Sequence, residues 1–248
     1  MPDKIELPVP VLKSPHWRVR FRPDVYQKEL VPSLRECLLL IEQTKLSIRG
    51  WDYPHLSRRE SERQIGSSWI ASWSDYAGHN EYWRFYQSSQ FIHLFSIHED
   101  ANPEWKEQLR STAKAHLTWG NDKGRDWSQV PGFIHIPNFL YTVTEVFEFA
   151  ARLCEKGVYR RQLSISIGLS KINGFILAHN WDRAWMNRYE ATEVNLTNEW
   201  RVTPEELLSR NKEHALTAVL WFFERFGWLN PSKEILTRDQ DNFINRRF

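Results

Sequence analysis

In the stretch FIHLFSIHED, residues 91–100, an apolar alternation gives way to His98, Glu99 and Asp100, with His93 five positions earlier. Imidazole beside carboxylate at a strand end could hold a divalent ion or exchange protons with a substrate, so His98, Glu99 and Asp100 are the candidate catalytic group. A strand leaving the core into a polar loop produces the same composition with no chemistry attached. Two more pairs, Asp52 with His55 in GWDYPH and His179 with Asp182 in AHNWDR, lie in turn-like sequence, where Asp, Asn and Pro also serve the backbone. Glu104 and Lys106 in PEWK have the spacing of a metallonuclease pair, but the flanking proline and EQLR read as helix.

Binding chemistry is concentrated on two stretches. In HWRVRFRP, Trp17, Val19 and Phe21 alternate with Arg18, Arg20 and Arg22, the period of a strand that buries one face and presents a cationic one. In EYWRFY, inward Trp83 and Phe85 would leave Tyr82, Arg84 and Tyr86 on the other face. Arginines can neutralise phosphate while tyrosines stack on bases, so these six residues form the candidate nucleic-acid- or nucleotide-binding surface. Exposed strands also carry cationic residues simply to discourage edge-to-edge pairing.

Several chemistries have no signature here. The chain lacks a G-x-x-x-x-G-K-[ST] loop, G-x-G-x-x-G, G-x-S-x-G and H-E-x-x-H. Only Cys37 and Cys154 are present, which argues against a disulfide framework or a cysteine metal site, and no cofactor or metal is expected. The net charge of +2 is too small to mark the whole chain as a polyanion binder, although residues 1–65 hold twelve Lys/Arg against nine Asp/Glu. Thirteen tryptophans exceed what any one ligand site needs, so most must be core, and any exposed surplus would form an apolar docking patch for another protein. No stretch approaches the roughly 18 apolar residues of a membrane span, so a cytoplasmic protein without a membrane partner is expected.

The elements that would position these groups follow from periodicity. After the basic strand, SLRECLLLIEQT reads as a capped helix and KLSIRGWDYPH as a strand, giving a β-α-β start. SRRESERQ predicts a short helix, and EYWRFY and FIHLFSI a hairpin through QSSQ. PEWKEQLRSTAKAHL and IPNFLYTVTEVFEFAARLCEKG read as helices, and LSISIGLSKINGFILAHN as a hairpin about Asn173-Gly174. A strand at TEVNLTNEWRV precedes two helices, the first capped by Thr203-Pro204-Glu205-Glu206. The fold class is α+β, mainly antiparallel sheet covered by helices in a single 1–248 domain, with lobes 1–100 and 132–248 joined by a polar helical segment 101–131.

WRVRFRP, LRECLLLIE, RGWDYPHL and EYWRFYQSSQFIHLF, over residues 16–98, resemble an uncharacterised region of prokaryotic proteins that accompanies a Schlafen-type AlbA domain, a class assigned to DNA binding. The resemblance implies a companion or sensing module in a nucleic-acid-related prokaryotic system and supplies no site residues. The expectation is a non-catalytic nucleic-acid- or nucleotide-binding module. The alternatives are a metal-dependent hydrolase or nuclease centred on His98, Glu99 and Asp100, and a protein-interaction subunit.

Overall fold

The computed structural model describes residues 9–57, 59–76, 78–117, 122, 124–180, 183 and 187–246. In chain order the elements begin with α1 (Val9–Lys13), β1 (His16–Pro23), α2 (Leu34–Thr44), β2 (Arg63–Ile65), β3 (Trp69–Tyr76), β4 (His79–Tyr86) and β5 (Phe91–Ser96). There follow α3 (His98–Ala101), α4 (Pro103–Leu117), β6 (Phe133–His135), α5 (Ile136–Glu155), β7 (Leu163–Ser170), β8 (Ile176–Ala178), β9 (Asn195–Val202), α6 (Pro204–Arg225) and α7 (Lys233–Ile244). The class is α+β: seven strands form an antiparallel sheet in the order β2-β3-β4-β5-β1-β7-β9, while β6 and β8 form a separate parallel pair.

Alternation in β1 decides the layering. Trp17, Val19 and Phe21 lie opposite Phe95, His93 and Phe91 of β5 and opposite Leu169, Ile167 and Ile165 of β7, so one sheet face is almost wholly apolar. Helix α5 covers it: Phe139 meets Trp17 edge-on at 4.8 Å between ring centroids, and Phe149 meets Phe91 at 5.1 Å. Helix α6 packs beside α5 through Phe222 and Phe223, at 5.4 and 5.2 Å from Phe139. Strands from residues 16–96 and 163–202 thus share one sheet, and one apolar core runs from Trp17 to Leu236. The stretch 101–131 does not divide that core; Leu109, Ala113, Leu117, Trp127 and Val130 instead pack with Phe133 and Ile176 in a satellite cluster.

Three local expectations are corrected. KLSIRGWDYPH forms no strand, only a bridge between Leu46 and Tyr53, because the places beside β1 are taken by the longer alternations of β5 and β7. SRRESERQ shortens to a 3-10 turn over Glu60–Glu62 that leads into β2, with the Glu62 carboxylate turned back onto the Ser57 hydroxyl. The two expected C-terminal helices are present as the two arms of α6, which meet at a kink where Arg210 has the non-helical φ −141° and ψ 26°. Asn173-Gly174 does reverse the chain, but β8 leaves β7, whose edges are both occupied, and pairs with β6.

Gly174 has φ +76°, and a Cβ there would stand 3.1 Å from Pro131 Cγ. Gly174→Ala is expected to lose about 1–2 kcal/mol, from the left-handed backbone and the tight contact together. Urea unfolding measures it; an unchanged midpoint would show that the turn relaxes freely.

Candidate functional site

At the end of the apolar sheet face nearest the β3–β4 turn the inward positions become polar. Parity along β4 puts His79 and Glu81 on the same side as Trp83 and Phe85, and along β5 puts His93 between Phe91 and Phe95. This end is roofed by the loop 45–57 and by α3 and α4, and backed by α5. Between these layers lies a cavity of about 430 Å³, with Trp51, Tyr53, Tyr76, His79, Glu81, His93, His98, Glu99, Trp105 and Glu145 in its wall. That volume falls within the range of small-molecule pockets.

Glu81 organises the site. Its carboxylate accepts hydrogen bonds from Trp51 Nε1 at 3.2 Å, the His55 backbone N–H at 2.7 Å and His93 Nε2 at 2.9 Å. Burial by itself would raise this carboxyl, but hydrogen bonds and charge from His79 and His93 outweigh it and hold the group well below the usual carboxylate range. A carboxylate can only accept, so His93 carries its proton on Nε2. In the neutral ring Nδ1 is then a lone pair, and among the described residues it has no partner although His93 is only 1% exposed. The Tyr53 hydroxyl, on a side chain 6% exposed, is likewise unpartnered.

Two more buried carboxylates complete the wall. Glu145 on α5 takes a two-pronged contact from Arg49, with Nε at 3.2 Å from Oε1 and Nη2 on Oε2, while Nη2 also reaches Thr142. Burial pushes Glu145 upward despite that partner. Glu99 accepts from the His135 backbone N–H at 3.1 Å and from Asn138 Nδ2 at 3.0 Å, and burial raises it as well. His98 packs edge-on to Trp105 at 4.9 Å and lies 5.8 Å from the His79 ring. Desolvation, then the charges of His79 and Arg49, lower it to about 4, which leaves a neutral imidazole at neutral pH.

The expected catalytic trio is therefore split. His98 and Glu99 line the cavity, whereas Asp100 lies outside it in an ion pair with Lys106 at 2.6 Å. Asp52 is in the wall, bound by Lys45 at 2.5 Å, and His55 stacks on Trp51 at 4.1 Å. His179 packs its ring against His135, and Asp182 lies outside the described residues. Glu104 and Lys106 are on α4, as helical sequence required. Among the described residues no group of three or more His, Cys, Asp or Glu side chains converges to hold a metal ion. Burial pushes the Cys37 and Cys154 thiols up to about 12, so neither is a thiolate at neutral pH.

The expected binding residues all lie on the opposite sheet face. Register sets Arg18, Leu94 and Tyr82 in one row and Arg20, Ile92 and Arg84 in the next, so the two groups are one strand apart. Arg18, Arg20 and Arg22 are exposed, but Tyr82 and Arg84 are only 2% and 5% exposed. The Arg84 guanidinium lies 3.8 Å over the Trp69 ring, its Nε donates to Tyr82 Oη at 2.7 Å, and Nη1 reaches Tyr86 Oη at 3.5 Å. Its charge is spent among these rings, and Tyr82 has no face free for a base. Arg22 pairs with Glu199 at 2.8 Å; Arg18 and Arg20 form no ion pair among the described residues. None of the ten described tryptophans is among the exposed large hydrophobic residues. No described helix is long and apolar enough to cross a membrane.

No protein family, curated protein or solved structure matches the chain. Sequence reasoning passed over Glu81, Arg49, Glu145, Tyr53 and Trp51. The available signal was parity: Glu81 shares the inward positions of Trp83 and Phe85, and Glu145 interrupts the apolar run of α5.

Tyr53→Phe removes a hydroxyl that bonds to nothing in the protein, and is expected to leave stability unchanged or to raise it by up to about 1 kcal/mol. Glu81→Ala strands three buried donors and is expected to cost about 3–5 kcal/mol. Denaturant unfolding of both separates them; equal losses would mean that the Tyr53 hydroxyl is bonded after all.

Proposed function

We propose that the protein is a small-molecule-binding module whose ligand occupies the cavity between the sheet and the roof formed by the loop 45–57, α3 and α4. The observation that carries this reading is the set of buried, unpartnered atoms in the cavity wall, Tyr53 Oη, His79 Nδ1 and His93 Nδ1. An unsatisfied buried polar atom costs about 1–3 kcal/mol, and a hydrogen-bonding ligand recovers that cost. Around these atoms the wall is aromatic, which supplies affinity for organic ligands without directional demand. The Glu81–His93 pair also has the arrangement of a base held by a carboxylate, so acid–base chemistry on the bound molecule is compatible with the site.

Ala101 is half-buried in the wall, and a large side chain there would fill the space at modest cost to the fold. Compounds from a panel of small aromatic and polar molecules are expected to change tryptophan emission and raise the melting temperature of the native protein, and to do neither in Ala101→Trp. Binding that survives Ala101→Trp, or a panel without a single binder, would overturn the reading.

One observation favours a second reading, the nucleic-acid surface. Arg18, Arg20 and Arg22 project together from one exposed face of β1, beside the small Ser164, Ser166 and Gly168 of β7. The likeness to a region that accompanies a DNA-binding domain agrees with it, while the burial of Tyr82 and Arg84 confines it to phosphate contact. On this reading a fluorescent single-stranded oligonucleotide binds with steep salt dependence, and replacing Arg18, Arg20 and Arg22 by Ala reduces affinity by roughly tenfold or more at low salt. Equal affinity in the triple variant would return the three arginines to solvated surface.

A further inference from the structure

We propose that the ligand of the cavity is a small organic cation, an inference that rests on reading the cavity as a ligand site. Four carboxyl side chains, Asp52, Glu81, Glu99 and Glu145, line the wall against one guanidinium, Arg49. Arg49 is the guanidinium in the wall, and Glu145 holds it by two prongs. Lys45 neutralises Asp52 from outside the wall at 2.5 Å. Glu99 makes no direct ion pair among the described residues: its two hydrogen-bond donors are a backbone amide and the Asn138 carboxamide, and Arg49 acts on it only from a distance.

The rings are arranged to match. Trp105 meets His98 at 4.9 Å, His98 meets His79 at 5.8 Å, His79 meets Trp51 at 6.2 Å, and Trp51 meets Tyr76 at 5.6 Å, so five rings form a continuous arc along one wall. The faces of Trp and Tyr attract cations through the ring quadrupole, and more strongly where water is excluded. His98, lowered to about 4, adds a ring without a competing positive charge. The unpartnered atoms fit as well. His93 Nδ1 is an acceptor in the neutral ring, and Tyr53 Oη can accept, so both can then take N–H bonds from a protonated amine. The guanidinium that an anion would seek, Arg49, is already engaged by Glu145.

The test uses four probes that share one benzene ring: benzylammonium, benzyltrimethylammonium, benzyl alcohol and benzoate. Their binding to the full chain is followed by ligand-observed NMR and tryptophan emission in mildly alkaline buffer, because burial raises the Glu99 carboxyl. Either cation is expected to bind roughly tenfold or more tightly than benzyl alcohol, with benzoate weakest. Glu99→Gln keeps an oxygen for the His135 and Asn138 donors while removing the charge, and should erase most of the preference with little change for benzyl alcohol. Thermal melting of that variant reports whether the wall is intact, and Trp105→Leu provides a second perturbation of the arc, expected to weaken the cations alone. If benzyl alcohol or benzoate binds as tightly as the cations, and Ala101→Trp abolishes that binding, the charge assignment is overturned while the pocket stands. If no probe binds, both fall.

Discussion

The carboxylate of Glu81 is the point on which the site depends. A charge among Trp83, Phe85 and Phe95 is tolerable only when its lone pairs are filled, because an ion taken out of water costs several kcal/mol. The donors that fill them come from two places, His93 within the sheet and Trp51 with His55 in the loop 45–57. The same loop donates in the other direction at Arg49, which reaches Glu145 on α5, and receives a bond from Trp83 Nε1 at the His55 carbonyl, 2.6 Å long. One irregular segment is thus stitched to both layers of the protein through buried carboxylates. The cavity is the space left where charge had to be accommodated between two apolar layers.

The tryptophans divide the work accordingly. Trp17 and Trp83 belong to the core, Trp69 holds Arg84 flat against the far sheet face, and Trp51 and Trp105 form the wall of the cavity. A docking patch would need exposed rings, whereas among the described residues the large apolar side chains that reach solvent are aliphatics and tyrosines such as Ile65, Leu229 and Tyr76. Exposure of this kind is ordinary for a folded chain.

Much of the architecture was legible in the sequence because it is written in short-range patterns. The alternation of HWRVRFRP, the capping box at Thr203 and Glu206, and the proline entry to α5 each specify an element without reference to the rest of the chain. Pairing is a different kind of information. Nothing local says that β8 prefers β6 to β7, or that the alternation of Leu46 and Ile48 loses its place to a strand more than a hundred residues away. The site lay deeper still. His98 and Glu99 were visible as neighbours, but their partners Asn138, His79 and Trp105 come from other elements, and Asp100 was drawn away by Lys106. Arg84 and Tyr82 misled because the period of a strand says which residues share a face and not whether that face is covered.

The position of β1 has a consequence for how the chain is made. It precedes every other strand of the sheet in chain order, yet it lies inside the sheet, and its partner on one side, β7, begins only at Leu163. The pairing of Arg18 with Gly168 spans about 150 residues, the kind of long-range closure that slows folding. Until β7 leaves the ribosome, β1 has β5 on one side and an open edge on the other, which any passing extended segment could occupy. Arg18, Arg20 and Arg22 stand on the solvent face of the strand that carries this edge, and cationic side chains on an open strand discourage such pairing until β7 arrives.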